Sequence, residues 1–482
     1  MKTSKLTTQI ALLSSLELEE FLDFVRSPWH NKNQRVVALL EYYRGKWPEL
    51  EVDRAEAFGR FYPGESFDAQ RFYNVNSLLF RLYESWIYLR ECRDAAPERA
   101  LALMRHYQEQ GATKRYAAAR RSLETALTNA PDHSEADAAH LRFQATVEDV
   151  AFTLRYQHRT PDNALSTASQ HLDRFFIISK LRQACEMRNR GHVITANATP
   201  GLITEVLTHL NQHLDSYDNP ALHLWFGIYQ MLHESEGDVH FHATRRLFQA
   251  HHHQLNFGEG REICAYLVNF CIRQLNAGHT DYARLLFELY RWAMAHHVLN
   301  PPGEMDEWHF KNRISLSIRL QEFEDAHDFI HQNADFLPAN NRENAVRYNL
   351  ATLKFATGAH SEAIRLLQQV RFTDVFYGLD SRLLLMKIYF EAQETEALHA
   401  LFSAFRLLLH RNKVISQTQK NLYLNFRRFL KKLAKIREKT SFLTHTQSQK
   451  LLTHLLEELR TRRQTAQFNW LEGQIEELLI GN

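Results

Sequence analysis

Apolar residues recur along this chain at alternating steps of three and four. Phe72, Val75, Leu79, Leu82, Trp86 and Leu89, with polar residues between them, have the period of one buried face of an α-helix. Proline-centred breaks interrupt this pattern at Ser27-Pro28, Trp47-Pro48, Tyr62-Pro63-Gly64, Ala130-Pro131-Asp132, Thr160-Pro161-Asp162, Asn219-Pro220 and Asn300-Pro301-Pro302-Gly303. A proline pushes the residue before it out of the helical region, so helices are predicted to end or restart at each break. The pattern gives helices of about 12 to 25 residues joined by short turns, with no alternating β-branched run to predict a strand.

From about residue 225 a second pattern is laid over the first. A polar or glycine-containing corner is followed by an alanine and, four positions on, by a bulky apolar residue: Ala243/Leu247, Ala283/Phe287, Ala326/Ile330, Ala363/Leu367 and Ala397/Leu401. The alanines are 40, 43, 37 and 34 residues apart, and twelve residues before each stands Met231, Cys271, Ile314, Ala351 or Leu385. A small residue on a second helix lets it approach the first closely while large neighbours fill the seam, so each instance predicts a helical hairpin.

Residues 349–363 and 384–397, with Pro338 twelve residues past Ala326, resemble the tetratricopeptide repeat, in which a small residue on the second helix is followed four on by a large one. The spacings of 37 to 43 exceed that repeat's period, and the usual glycine of its first helix is missing. The resemblance implies an all-α fold, a right-handed α-α superhelical solenoid of antiparallel hairpins whose first helices line a concave face. It places groove-facing positions 18, 15, 11 and 8 residues before each alanine. These are Trp308, Lys311, Ser315 and Ile318, then Ala345, Tyr348, Thr352 and Phe355, then Leu379, Arg382, Met386 and Tyr389. Trp308, Lys311, Tyr348, Arg382 and Tyr389 are the peptide-groove candidates, because aromatics give rigid contact area and cations grip carboxylates. Further upstream, residues 21–33, 39–43 and Trp47-Pro48 resemble the opening of an uncharacterised family of bacterial helical-repeat proteins, which implies fold and compartment but no activity. The expected organisation is an N-terminal helical module over 1–95, irregular hairpins over 96–224, tetratricopeptide-like repeats over 225–412 and basic C-terminal helices over 413–482.

Composition agrees with this. Sixteen glycines and 11 prolines in 482 residues are too few for turn-rich sandwiches, barrels or doubly wound sheets. Charge is balanced overall at 58 Lys+Arg against 56 Asp+Glu, but residues 411–463 carry net +11 and the remainder −9. Within that basic stretch Leu422, Phe426, Phe429, Leu430, Leu433 and Ile436 form an apolar stripe, while Arg427, Arg428, Lys431, Lys432 and Lys435 line another face. Such a helix offers a row of cations to nucleic-acid phosphates or anionic lipid.

No catalytic signature accompanies these patterns. Of 27 histidines, His209/His213 and the group His240, His242, His251, His252 and His253 are the nearest to metal-ligand spacing, yet no HExxH is present. Gly258-Glu259-Gly260 lacks the third glycine of a dinucleotide loop, and no phosphate loop or GxSxG elbow occurs. The paired acids Glu457-Glu458 and Glu476-Glu477 fall on amphipathic helices, as solvated faces. Four dispersed cysteines form no CxxC pair and are expected to be reduced. The densest apolar run, 401–409, is too short to span a bilayer and includes Ser403 and Arg406. The N-terminus reads as an ordinary helix rather than a leader. The expectation is a cytoplasmic, non-catalytic protein–protein scaffold or adaptor without metal or cofactor. Docking to nucleic acid or membrane lipid through the basic helix is the alternative, and an enzyme with an unrecognised site comes third.

Overall fold

The computed structural model describes residues 5–129, 133–156, 163–191, 200–234, 237–370, 375–412, 415, 417–439, 444–462 and 464–481. The chain divides into two compact units, Met1–Gly260 and Arg261–Asn482. Among the described residues every regular element is helical.

The first unit opens with α1 (Lys5–Ala11), α2 (Ser15–Arg26), α3 (Gln34–Gly45), α4 (Arg54–Phe61) and α5 (Ala69–Asp94). Helices α2, α3 and α4 stop just ahead of Pro28, Pro48 and Pro63. Ser14, Asn33, Asp53 and Asp68 accept the first free backbone N–H groups of α2 to α5. The face predicted for α5 is buried from Phe72 to Trp86, where Phe21 packs 5.2 Å from the Trp86 ring. It stops one turn short of expectation, because Leu89 is 43% exposed.

Next come α6 (Ala96–Glu109), α7 (Thr113–Asn129), α8 (Glu135–Tyr156), α9 (Ala164–Gly191), α10 (Ile203–His213), α11 (Pro220–His233) and α12 (Gly237–His251). Consecutive helices pair, α6 with α7, α8 with α9 and α11 with α12. Asn219 caps α11 at the predicted Pro220 restart, whereas the breaks expected at Pro131 and Pro161 lie outside the described residues. The boundary between the units falls inside α13 (Phe257–Ala277).

The second unit continues with α14 (Tyr282–Ala295), α15 (Glu307–Arg319), α16 (Phe323–Asn333), α17 (Arg342–Ala356), α18 (His360–Gln368), α19 (Val375–Glu391) and α20 (Thr395–Arg411). It ends with α21 (Gln417–Lys439), α22 (His445–Thr461) and α23 (Phe468–Gly481). Pairs α15/α16, α17/α18 and α19/α20 stack in order, and the first helices α15, α17 and α19 adjoin one another. This is a tetratricopeptide-like solenoid of antiparallel hairpins.

One turn recurs in both units. Gly111, Gly278, Gln321, Gly358 and Gln393 adopt left-handed backbone, with φ of 65°, 103°, 62°, 78° and 59°. The N–H of the following residue returns to a carbonyl five residues back, as in Glu322 to Ser317 (2.8 Å), Ala359 to Lys354 (2.8 Å) and Glu394 to Tyr389 (2.9 Å). This is the Schellman closure, which satisfies carbonyls that the helix end leaves free. Glycine enters that conformation without steric cost, but a side chain there costs roughly 1–2 kcal/mol. Gln393→Gly is therefore expected to stabilise the second unit by roughly 0.5–1 kcal/mol after allowing for the extra unfolded-state entropy of glycine. The denaturant midpoint should rise with an unchanged slope.

The turn also sets the register of the second helix, because the residue five positions beyond it faces the first helix. Ala283, Ala326 and Ala363 stand there, each no more than 4% exposed, and Phe287, Ile330 and Leu367 are buried beside them as expected. Two expected pairs are displaced by one residue. In α20, Ala397 and Leu401 are half-buried while Leu398 and Phe402 fill the seam, five and nine residues past Gln393. Met386 is buried in α19 in place of the half-buried Leu385. In α12, Ala243 is exposed and Thr244 and Phe248 are buried. There the small residue sits on the first helix instead: a Cβ at Gly227 of α11 would lie 2.4 Å from Thr244 Oγ1.

One apolar core runs from Leu379 to Ile475. It takes in the α21 stripe, where Phe426, Phe429, Leu430 and Leu433 are fully buried and Leu422 and Ile436 half-buried. The N-terminal end of α23 crosses to α19, where Trp470 Nε1 donates to Glu391 Oε1 at 2.9 Å and the Trp470 ring meets Phe390 and Phe426.

Candidate protein-binding wall and basic helix

The first helices of three successive hairpins bring their inward residues together. Asp306 caps α15 by accepting the N–H groups of Trp308 and His309 (2.9 and 3.2 Å), which fixes Trp308 in the first helical turn. Its ring lies 6.0 Å from Tyr377 of α19 and stays 46% exposed. Lys311, one turn on, pairs with Asp380 of α19. The Lys311 ammonium lies 5.2 Å from the Trp308 ring centroid and 5.3 Å from those of Tyr348 and Tyr377, close enough for cation–π attraction. Tyr348 of α17 is buried and meets Tyr377 edge-on at 5.3 Å. Burial first, and then the Asp380 carboxylate, hold its hydroxyl proton well past the ordinary phenol range.

Three of the five groove candidates, Trp308, Lys311 and Tyr348, thus share one cluster. The other two stand apart from it. Arg382 Nη1 donates to the Gly378 carbonyl of its own helix at 2.7 Å, and Tyr389 packs half-buried against the C-terminal core. The displaced register of the α19/α20 hairpin accounts for this. Counting back 18 and 11 residues from Leu398 rather than Ala397 gives Asp380 and Lys387, and both face the wall. Lys387 lies 5.1 Å from the Phe355 ring of α17 and 5.1 Å from Trp470, and donates to Gln467 Oε1 at 3.3 Å. Burial lowers its pKa to about 8, against the opposing pull of Glu391.

The basic face of α21 is divided rather than continuous. Arg428 and Lys432 both reach Glu458 of α22, at 2.8 and 2.5 Å, and Lys432 above all holds that carboxyl below its usual range. Arg427 turns the other way, its Nε donating to the Phe402 carbonyl of α20 at 2.6 Å. Lys431 is half-buried and Lys435 exposed, and neither has an ion pair among the described residues.

No other constellation of reactive groups stands out. Among the described residues no three His, Cys, Asp or Glu side chains gather as metal ligands. His209 is bonded to the Tyr217 hydroxyl (2.9 Å) and His240 to Glu234 (2.8 Å). The buried carboxylate of Glu259 accepts Trp225 Nε1 (3.0 Å) and the backbone N–H of Glu135 (3.2 Å), a bolt within the first unit. Cys185, Cys264 and Cys271 are buried and Cys92 is exposed, and none of the four is joined in a disulfide. Burial pushes the Cys264 thiol up to about 12, where a thiolate nucleophile has no part to play. No described helix is long and apolar enough to cross a membrane.

No family model and no curated protein matches this chain. Among solved structures it is similar to a crystal structure of the APC/C hetero-tetramer Cut9-Hcn1. The identity is 12%, covering 96% of this chain and 86% of that one with a TM-score of 0.27, too loose a superposition to carry an argument.

Proposed function

We propose that this chain is a non-catalytic scaffold of the cytoplasm that captures a protein or peptide segment on the wall formed by α15, α17 and α19. The observation that carries the reading is Trp308, nearly half exposed yet held by the Tyr377 ring and the Lys311 ammonium. A large aromatic whose orientation is fixed before binding gives up little entropy on contact, the property that makes Trp and Tyr dominate interfaces. Four cysteines outside disulfides fit a reducing compartment.

The Lys311–Asp380 pair decides which residue to probe. Reversing the Lys311 charge would set two carboxylates against each other and disturb the wall itself, whereas Trp308→Ala removes contact area and leaves the pair standing. Tagged protein carrying a photo-crosslinking benzoylphenylalanine at position 308 is expected to capture one discrete protein from its own cells. Trp308→Ala should reduce its co-purification by about tenfold, as for a hot-spot residue. A product shared with the same crosslinker at the exposed Leu154 of α8, or unchanged recovery from Trp308→Ala, would exclude this wall as the binding face.

A further inference from the structure

Between α20 and α21 lies a cleft of about 550 Å³. Arg406, Lys420, Arg427 and Lys431 line it over an apolar floor that includes Leu407 and Leu424, and no carboxylate does so among the described residues. In a chain with nearly equal numbers of acids and bases, four cations converging without a counter-charge is an unbalanced arrangement. Arg427 is held in place by its Nε bond to the Phe402 carbonyl, which leaves its terminal amino groups with no protein acceptor among the described residues. Burial first, and then repulsion from Arg406, lower its pKa, the mark of a positive charge that the protein does not neutralise. Lys420 is tethered by a bond from its ammonium to the Asn412 carbonyl at 2.5 Å, so two of the four cations are positioned in advance.

We infer that this cleft binds a small phosphorylated compound, its phosphate gripped by Arg427 with Lys431, Arg406 and Lys420 around it. The volume suits a compact ligand rather than an extended surface. A guanidinium with both terminal groups open matches two phosphate oxygens at once. A flat bilayer or a nucleic-acid backbone would need the continuous row on α21, which Glu458 breaks by engaging Arg428 and Lys432. This site is separate from the protein-binding wall, and either can fail without the other.

The test is calorimetric titration of the full chain with inorganic pyrophosphate at low ionic strength. Saturable one-to-one binding is expected, weakened about tenfold or more in Arg427→Gln/Lys431→Gln and unchanged in Arg428→Gln/Lys432→Gln. Arg406→Gln, which disturbs no bond among the described residues, should also weaken binding and keeps the test decisive if the double variant folds poorly. Absence of saturable binding, or equal loss in the Arg428/Lys432 control, would overturn the proposal. So would binding to duplex DNA or anionic vesicles without pyrophosphate competition.

Discussion

Asp325→Ala is expected to destabilise the second unit by about 3–5 kcal/mol, the range for stripping a buried ion of its partner. Arg313 of α15 is 3% exposed and lies 4.1 Å from the Phe287 ring of α14 and 5.1 Å from Phe329 of α16. Its guanidinium grips Asp325 of α16 through two nitrogens, at 2.8 and 2.9 Å, and Ser317 closes the triangle by donating to the same carboxylate at 2.8 Å. The two partners are unequally buried, so their removal is unequal in effect. Arg313→Met leaves a carboxylate one-third exposed that can hydrate, and should cost less than Asp325→Ala, which leaves the guanidinium enclosed. Adding Arg313→Met to Asp325→Ala should recover part of the loss, a double-mutant cycle readable by urea unfolding. Burial alone would raise the Asp325 pKa, but the bonds from Arg313 and Ser317 outweigh it and hold it low. The pair's contribution is therefore present above the ordinary aspartate range and lost as pH falls through the depressed folded-state value. The stability gap between wild type and the double variant should narrow in acid.

The second large effect is expected from the helix seams. Ala326 and Ala363 are fully buried in separate apolar clusters, and a leucine at either must push its hairpin open. Overpacking of this kind costs about 1–3 kcal/mol per site, so the double substitution Ala326→Leu/Ala363→Leu should cost about 2–6 kcal/mol if the sites add. Ala243→Leu is the control. That alanine occupies the same sequence pattern but is exposed, and its substitution should stay within about 0.5 kcal/mol. Equal losses at all three positions would show that the seams are not where the close packing lies.

The contrast between Ala326 and Ala243 also shows what the sequence could reveal. Helical period and proline position define where helices stop, because both act within a few residues, and the breaks at Pro28, Pro48, Pro63 and Pro220 fall where those rules put them. Register across a hairpin depends on the turn. Gly278 and Gly358 announce a left-handed corner, so the count to Ala283 and Ala363 is correct. Gln321 and Gln393 occupy the same conformation; past Gln321 the seam position is again an alanine, Ala326, but past Gln393 it is Leu398, and the alanine one residue earlier draws the apparent seam to Ala397. That single step puts Leu379, Arg382, Met386 and Tyr389 in the count where Asp380, Leu383, Lys387 and Phe390 belong. Charge pattern has a similar blind spot: five cations on α21 form a row in sequence, but Glu458 arrives from another helix to claim two of them.

The placement of Trp470 bears on how the apolar surface of α19 and α21 is kept from water. A hairpin array offers an adhesive apolar end wherever a further repeat could dock. Here α23 lays Trp470 over Phe390 and Phe426, ties the indole nitrogen to Glu391 and adds Leu471 and Ile475 to the same core. A protein truncated ahead of Phe468 would bare those rings. Such fragments would be prone to self-association through the uncovered rings, so the α23 contact also keeps the second unit from sticking to copies of itself.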